Sequence, residues 1–405
     1  MNIPTVIKKQ LDKYEIIHNE EYNICILNNT HSDDYYKKKS FKKIIDRIIE
    51  RLNCKLSLNF EKINLENLNN LTNVSNIHSI NLSFSKNIND VKIFSNIHTL
   101  NLTWCEKIGD VRSLGKIHTL ILKNCKRVSN IKPLCNVHTL DLTGCTKISD
   151  VSLLENVHTL NLTNCHKIIN IEPLHKVHTL SLSFCKRIEN VSALKNVYNL
   201  DLSHCHLITD VSSLCNVHIL NLRYCINVQD VSMLGNVYDL NLSGCEKICN
   251  VSDLGNVYKL NLSGLKYLTD VSALSNVHTL LLQQCEKITD VSALGHVNTL
   301  DLTLCKNIID VSMLGNVYNL NLTACNIRDV SMLGSVHILS LRACKKITDI
   351  SMLGNVNALC LADCYNSLDK SGLENVEYLV LEIKNDIWNF GPKCQYWPEC
   401  IYWQI

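Results

Sequence analysis

At 405 residues the chain is longer than the roughly 100–200 residues of one globular core, which leaves either two or three domains or a single elongated array. A composition of 46% apolar and 19% charged residues, with a mean hydropathy of +0.02, excludes wholesale disorder. The 40 basic residues against 38 acidic ones create no field that would steer the chain to nucleic acid, an anionic membrane or a strongly acidic partner.

The first residues mix Lys8, Lys9, Asp12, Lys13 and Glu15 among short apolar stretches, which is not the layout of a secretory signal. No apolar run nears the roughly 20 residues of a spanning helix, so a soluble, cytoplasmic chain is expected. Residues 1–55 carry no repeat and read as an N-terminal cap. In it, Ser40 is placed to cap a helix whose Phe41, Ile44, Ile45, Ile48, Ile49 and Leu52 form one apolar stripe. Leu56, Leu58, Ile63, Leu65, Leu68 and Leu71 then look like a degenerate start to the array that occupies residues 56–383.

The array is regular. Ile80 and then Leu100 to Leu320 recur every 20 residues, followed by Leu339, Leu359 and Leu379, which makes 16 units. A fixed period in this range is the signature of a solenoid. In the unit that starts at Asn136, Val137, Leu140 and Leu142 follow L-x-x-L-x-L, and the alternation from Thr139 to Thr143 has the period of a half-buried strand. Asp150 and its counterparts Asp110, Asp210, Asp230, Asp270, Asp290 and Asp310 suit the start of a brief helical turn. Pro133 and Pro173 fit the first turn of that helix. Gly235, Gly255, Gly295, Gly315 and Gly354 are expected to close it in the left-handed conformation. The aromatic segment with Trp388, Phe390, Tyr396, Trp397, Tyr402 and Trp403 reads as a C-terminal cap over residues 384–405.

On these residues the chain resembles the leucine-rich repeat family of the cysteine-containing kind, L-x-x-L-x-L-x-x-C followed by I-x-D-V-S-x-L, over about residues 75–383. The tail of the unit also resembles the short I-x-D-I-x-P-L repeats of internalin-like proteins, and the shortened unit Cys325-Asn326-Ile327 has their spacing. As a whole the chain is similar to repeat proteins encoded by large DNA viruses of amoebae, which would place it in host-cell cytoplasm. The resemblance implies an α/β solenoid with one parallel strand per 20-residue unit, short helical or irregular outer connections and gentle curvature.

Three ladders invite chemical readings. Thirteen of the 21 cysteines share one phase, Cys105 to Cys245 in steps of 20 and then Cys285, Cys305, Cys325, Cys344 and Cys364. Thiols that far apart lack the paired spacing of a zinc site, and one unit has Leu265 instead, so the ladder reads as core packing. Cys394 and Cys400 have no matching second pair, and no metal and no cofactor are expected. His78, His98, His118, His138, His158, His178, His218, His278 and His337 share their phase with Tyr198, Tyr238, Tyr258 and Tyr318, which suits a row of stacked planar rings better than a metal or proton relay. Lys107, Arg127, Lys147, Lys167 and Arg187 make a basic edge, locally compensated by Asp110, Asp150 and Glu189. The run Ser203-His204-Cys205-His206 offers a thiol beside imidazoles, but Cys205 belongs to the inward ladder, where a nucleophile would lack exposure.

Most outward strand positions are Thr, Asn or Ser, so departures from that carpet are the candidate partner contacts: Phe84, Trp104, Lys123, Phe184, Arg223, Tyr224, Lys259, Gln283 and Gln284. The expectation is a non-enzymatic scaffold for a protein partner, with no small-molecule substrate. The alternative is an F-box-like substrate receptor of a ubiquitin ligase, hinted at only by Ile3, Pro4, Ile7 and Leu11.

Overall fold

The computed structural model describes residues 5–14, 16–19, 23–63, 71, 74–364, 368–384 and 387–389. Ile3, Pro4, Leu65, Leu68, Cys394, Cys400 and the aromatics from Phe390 onward therefore lie outside the described residues. The chain divides into two compact units, residues 1–188 and 189–405. No helix among the described residues is long and apolar enough to cross a membrane.

The first unit opens with helix α1 (Thr5–Lys13), the antiparallel strands β1 (Ile17–Asn19) and β2 (Ile24–Ile26), and helices α2 (Asn29–Lys37) and α3 (Lys39–Leu52). On α3 the expected stripe is largely inward, with Phe41, Ile45, Ile48 and Ile49 buried. Ser40 does not cap it: the helix starts at Lys39, its N-cap is Lys38, and no side chain caps that end. The capping is on α2, where Asn28 Oδ1 accepts the His31 N–H at 2.9 Å. β2 pairs in parallel with β3 (Lys55–Asn59), and β3 with β4 (Ile77–Asn81), so the short N-terminal strands, which have no repeat signature, join the sheet of the repeats. From β4 the strands β5 (Thr99–Asn101) to β9 (Thr179–Ser181) follow one per coil, all parallel and in register, Leu100 opposite Leu120 opposite Leu140.

The second unit repeats the arrangement from β10 (Asn199–Asp201) to β19 (Tyr378–Val380), again parallel and in register. The coil that lacks one residue keeps register, Leu320 opposite Leu339, because its loss falls in the turn after Cys325 and not in a strand. A short antiparallel pair, β20 (Glu382–Lys384) and β21 (Ile387–Asn389), closes the described chain and contains the backbone of Trp388.

A regular coil sends seven side chains inward. In one of them Ile97, Leu100, Leu102, Cys105, Ile108, Val111 and Leu114 are all at most 2% exposed. The thiols of this column are hydrogen-bonded as well as packed: Cys125 Sγ donates to Leu102 O of the preceding coil at 3.1 Å, and the pattern recurs at Cys145, Cys225, Cys305 and Cys344. Burial pushes Cys105 up to about 11 and Cys145 up to about 12, so these thiols stay protonated. Leu265 fills the same column as hydrocarbon, fully buried.

The outer connection is a single 3₁₀ turn, such as Ser212–Leu214, with Pro133 and Pro173 at its start where the sequence placed them. The preceding aspartate satisfies its first N–H: Ser212 N–H donates to Asp210 Oδ1 at 2.9 Å, and Ser152 N–H to Asp150 Oδ1 at 3.0 Å. The glycines after the turn behave differently from the expectation. Gly235, Gly255, Gly315 and Gly354 are right-handed, with φ between −61° and −62°. They are small because the next coil comes close: a Cβ at Gly235 would sit 2.2 Å from Asp253 O, and one at Gly295 2.3 Å from Met313 O.

Candidate functional site

The left-handed conformation occurs instead on the strand side, at the residue before each ladder cysteine or its counterpart Ser85 or Leu265. Phe84, Trp104, Asn124, Gly144, Asn164 and Phe184 in the first unit, and His204, Tyr224, Gly244, Gly264, Gln284, Leu304, Ala324, Ala343 and Asp363 in the second, have φ between 56° and 75°. Two forces hold the chain there. The N–H at this position donates to a carbonyl of the next coil, Trp104 to Lys123 O at 2.8 Å and Asn124 to Thr143 O at 2.7 Å. The side chain at the last strand position accepts the N–H two residues on, as from Thr103 to Asn101 Oδ1 at 2.9 Å and from Ser243 to Asn241 Oδ1 at 3.0 Å. Leaving such an N–H buried and unpaired costs about 1–3 kcal/mol, which matches or exceeds the roughly 1–2 kcal/mol of placing a Cβ residue left-handed. The Asn and Asp of the strand face are thus turn locks, and the sequence reading of them as a plain polar carpet missed that role.

The column gives five of the nine candidate contacts a common geometry. Phe84, Trp104, Phe184, Tyr224 and Gln284 all stand on this strained position, where a bulky side chain is thrown clear of the strand. Phe84 and Tyr224 are each 39% exposed. The Lys62 ammonium lies 5.8 Å from the Phe84 ring, the Lys126 ammonium 5.5 Å from the Trp104 ring and the Arg223 guanidinium 5.1 Å from the Tyr224 ring. The other candidates have partners within the chain. Lys123 Nζ is 3.2 Å from Asp141, Lys259 Nζ is 3.4 Å from Asp239, and Gln283 Nε2 donates to Asp301 Oδ2 at 2.6 Å. Asp301 is buried, and desolvation raises it despite that bond and the Thr303 N–H at 2.8 Å.

Four candidates converge in the second unit. Arg223, Tyr224, Gln283 and Gln284 border an open depression of about 760 Å³ on the strand-exit side. Its gap is made by Gly244 and Gly264, successive left-handed positions with no side chain. A Cβ on Gly244 would lie 2.5 Å from Tyr224 Cδ1 and Cε1, so that ring lies across the glycine; a Cβ on Gly264 would meet nothing nearer than 3.8 Å. Ser243, Asn261 and Ser263 also line the depression, and Ser263 Oγ is buried without a hydrogen-bond partner among the described residues. Tyr267, 63% exposed, and Leu304 add apolar surface. Four lining residues are basic (Arg223, Lys266, Lys287, Lys306) against two acidic (Glu246, Glu286), a balance of +2; Lys266 and Glu246 pair at 2.8 Å. Lys259, at the start of its strand, is not part of the lining. The first-unit candidates Phe84, Trp104, Lys123 and Phe184 stand on separate coils there. Gly244 and Gly264 were legible as two successive Ser-Gly steps in a column that otherwise carries glycine at Gly144 alone, a signal that only the left-handed conformation makes meaningful.

The ring ladder is stacked within each unit. Successive centroids from His78 to His178 are 4.4–4.7 Å apart, and those from Tyr198 through His218, Tyr238 and Tyr258 to His278 are 4.5–4.8 Å apart. Burial, then in His98 and His138 the neighbouring imidazoles, depresses His78, His98 and His138. In the run Ser203-His204-Cys205-His206, His204 lies 4.9 Å from the Tyr224 ring while Cys205 is fully buried, which separates the thiol from solvent. Ile7 and Leu11, two of the F-box hints, are buried on α1.

No protein-family model matches the chain, and no curated protein matches it. Among solved structures it is similar to an internalin from Listeria monocytogenes, at 17% identity over 77% of this chain and 88% of that one, with a TM-score of 0.42. The functional domain of InlJ from the same organism, described as including a cysteine ladder, is 17% identical over 71% of this chain and 74% of that one, with a TM-score of 0.46. A leucine-rich repeat protein of Leptospira interrogans is 17% identical over 78% and 98%, with a TM-score of 0.45. These likenesses concern architecture alone. With one short parallel strand per coil, inward L-x-x-L-x-L side chains and a buried cysteine column, each unit of this chain is a leucine-rich repeat solenoid.

Proposed function

We propose that the chain is a non-enzymatic protein-interaction scaffold whose second unit takes an extended, carboxylate-bearing segment of a protein partner. The gap at Gly264, beside the Tyr224 ring that lies across Gly244, carries this reading. It gives a bound backbone access to the floor between Tyr224 and Gln284. Arg223, Lys266, Lys287 and Lys306 around it favour acidic side chains, and Tyr224 with Arg223 is the residue pair most suited to anchor them. The buried, protonated ladder thiols support a binding role over nucleophilic chemistry.

Gly264→Asn tests the site with little disturbance, because Asn tolerates the left-handed region and a Cβ there makes only ordinary contact with the Gly244 backbone. The measurement is capture by the immobilised full chain of a displayed peptide library, with charge-reversed copies of each bound peptide as controls. Acidic peptides are expected to be selected, and to lose at least tenfold in affinity for Gly264→Asn and for Arg223→Glu but not for Lys259→Ala. Equal binding by all three variants, or equal binding of charge-reversed peptides, would refute the assignment.

A further inference from the structure

The cap of the first unit contains a constellation that the repeat does not explain. Two asparagines, Asn23 before β2 and Asn53 after α3, are both left-handed, with φ of 52° and 47°. They are clipped together: Asn23 Nδ2 donates to Asn53 O at 2.7 Å, and Lys55 N–H donates to Asn23 O at 3.1 Å. This clip sets Cys25 on β2 beside Cys54 at the end of α3, both buried, with their Sγ atoms 3.3 Å apart. On the other side of the same hairpin, His18 of β1 is the register partner of Cys25. One nitrogen of His18 and the two sulfurs all lie within 4.8 Å of one another.

The imidazole is set for ligation. Its Nε2 is 3.4 Å from Asn23 Oδ1, an acceptor, so the proton belongs on Nε2 and the lone pair on Nδ1. Nδ1 is buried and has no hydrogen-bond partner among the described residues. A histidine that donates from one nitrogen to an amide oxygen while the other stays bare and buried is in the state of a metal ligand with its outer support in place.

We propose that His18, Cys25 and Cys54 form a cation site in the N-terminal cap that takes Zn2+ through two thiolates and one imidazole. The distances fit. Bond lengths of about 2.3 Å to sulfur and about 2.0 Å to nitrogen in a tetrahedron require ligand atoms roughly 3.6–3.8 Å apart, so the two sulfurs need to spread by only about half an ångström from 3.3 Å. Binding converts two thiols to thiolates and releases two protons, with no change of oxidation state, and three protein ligands leave the fourth position to water. The ion would tie the β1–β2 hairpin to the end of α3, segments 29 residues apart at the two cysteines, and so fasten the lid of the array. The sequence reading expected no metal from the spacing of the ladder cysteines and of Cys394 and Cys400, and did not consider His18, Cys25 and Cys54, which the clipped turns bring together.

The test uses the reduced, metal-stripped full chain titrated with Co2+ as an optical stand-in and then with Zn2+. One equivalent of Co2+ is expected, with thiolate-to-cobalt absorption and the visible bands of a tetrahedral ion, displaced by Zn2+ at equal stoichiometry. Affinity should fall at least tenfold in Cys54→Ser and in His18→Ala and stay unchanged in Cys249→Ser, which removes an exposed thiol outside the cluster. Zn2+ should also slow amide exchange in β1, β2 and β3 of the unaltered chain. A reduced wild-type chain that takes up no Co2+ overturns the site, and so does full uptake by Cys54→Ser and His18→Ala. A Cys25–Cys54 disulfide in chain isolated under reducing conditions overturns it as well.

Discussion

Replacing Gly244 and Gly264 separately by alanine separates the cost of the left-handed backbone from the cost of what the glycine leaves room for. Both have nearly the same φ, 71° and 75°. Each alanine therefore bears about 1–2 kcal/mol of left-handed strain and gains the same few tenths to about 1 kcal/mol from a less flexible unfolded chain, so both contributions cancel in the difference. What remains is the neighbour. At Gly264 the new methyl makes only ordinary contact with the Gly244 backbone, whereas at Gly244 it meets two carbons of the Tyr224 ring at 2.5 Å. The ring must move more than an ångström to reach ordinary contact, giving up its place beside His204 and the Arg223 guanidinium. A cation–ring contact of this kind is worth about 0.5–1 kcal/mol, so Gly244→Ala should cost about 1 kcal/mol more than Gly264→Ala. Because repeats open locally, hydrogen exchange of the amides at Tyr224, Gly244 and Gly264 is the appropriate assay, not a single global melt. In a Tyr224→Ala background the two alanines should cost the same. Equal costs in the wild-type background, or a difference that survives removal of the ring, would refute the argument that Tyr224 occupies the glycine gap.

Three further outcomes follow from the same geometry. Depressed histidines bind fewer protons folded than unfolded, so the stabilisation from neutral His78, His98 and His138 is present above the ordinary value near 6.5 and is lost as pH falls through their lowered folded values; replacing the three by Tyr should flatten the fall in first-unit exchange protection between pH 7 and 5, and an unchanged slope would count against the stack as its source. Asp301 is the reverse case: its folded value is raised, so its favourable contribution belongs to low pH and is lost as pH rises, which leaves a buried carboxylate at neutrality. Asp301→Asn, the residue that Asn241, Asn261 and Asn321 carry in the same column, should raise protection of the second unit at pH 7, and a loss of protection would refute this. Alkylation of native chain at pH 8 should reach exposed Cys249 long before fully buried Cys105, Cys145 or Cys225, which should react only on unfolding; comparable rates by mass spectrometry would contradict the inward ladder.

What the amino-acid sequence determined by itself is everything that one coil shares with the next. In a solenoid each side chain sees its own counterpart above and below, so periodicity alone shows that Leu100, Leu120 and Leu140 stack inward, that the cysteines form a buried column and that rings pile on rings. The same logic fails wherever neighbours differ or the backbone chooses. The left-handed column is held by hydrogen bonds between coils, the crowding of Gly235 comes from a carbonyl of the next coil, and the turn locks at Asn101 and Asn241 are side-chain bonds within one coil, none of which the periodicity announces. Only the tertiary structure sets Gly244 and Gly264 side by side as a gap bordered by Arg223, Tyr224, Gln283 and Gln284, and leaves Lys259 outside it. The cap carries no repeat, so its short strands were illegible; there, a contact between two left-handed asparagines draws His18, Cys25 and Cys54 together across 36 residues of chain, a convergence set by backbone hydrogen bonding and not by spacing.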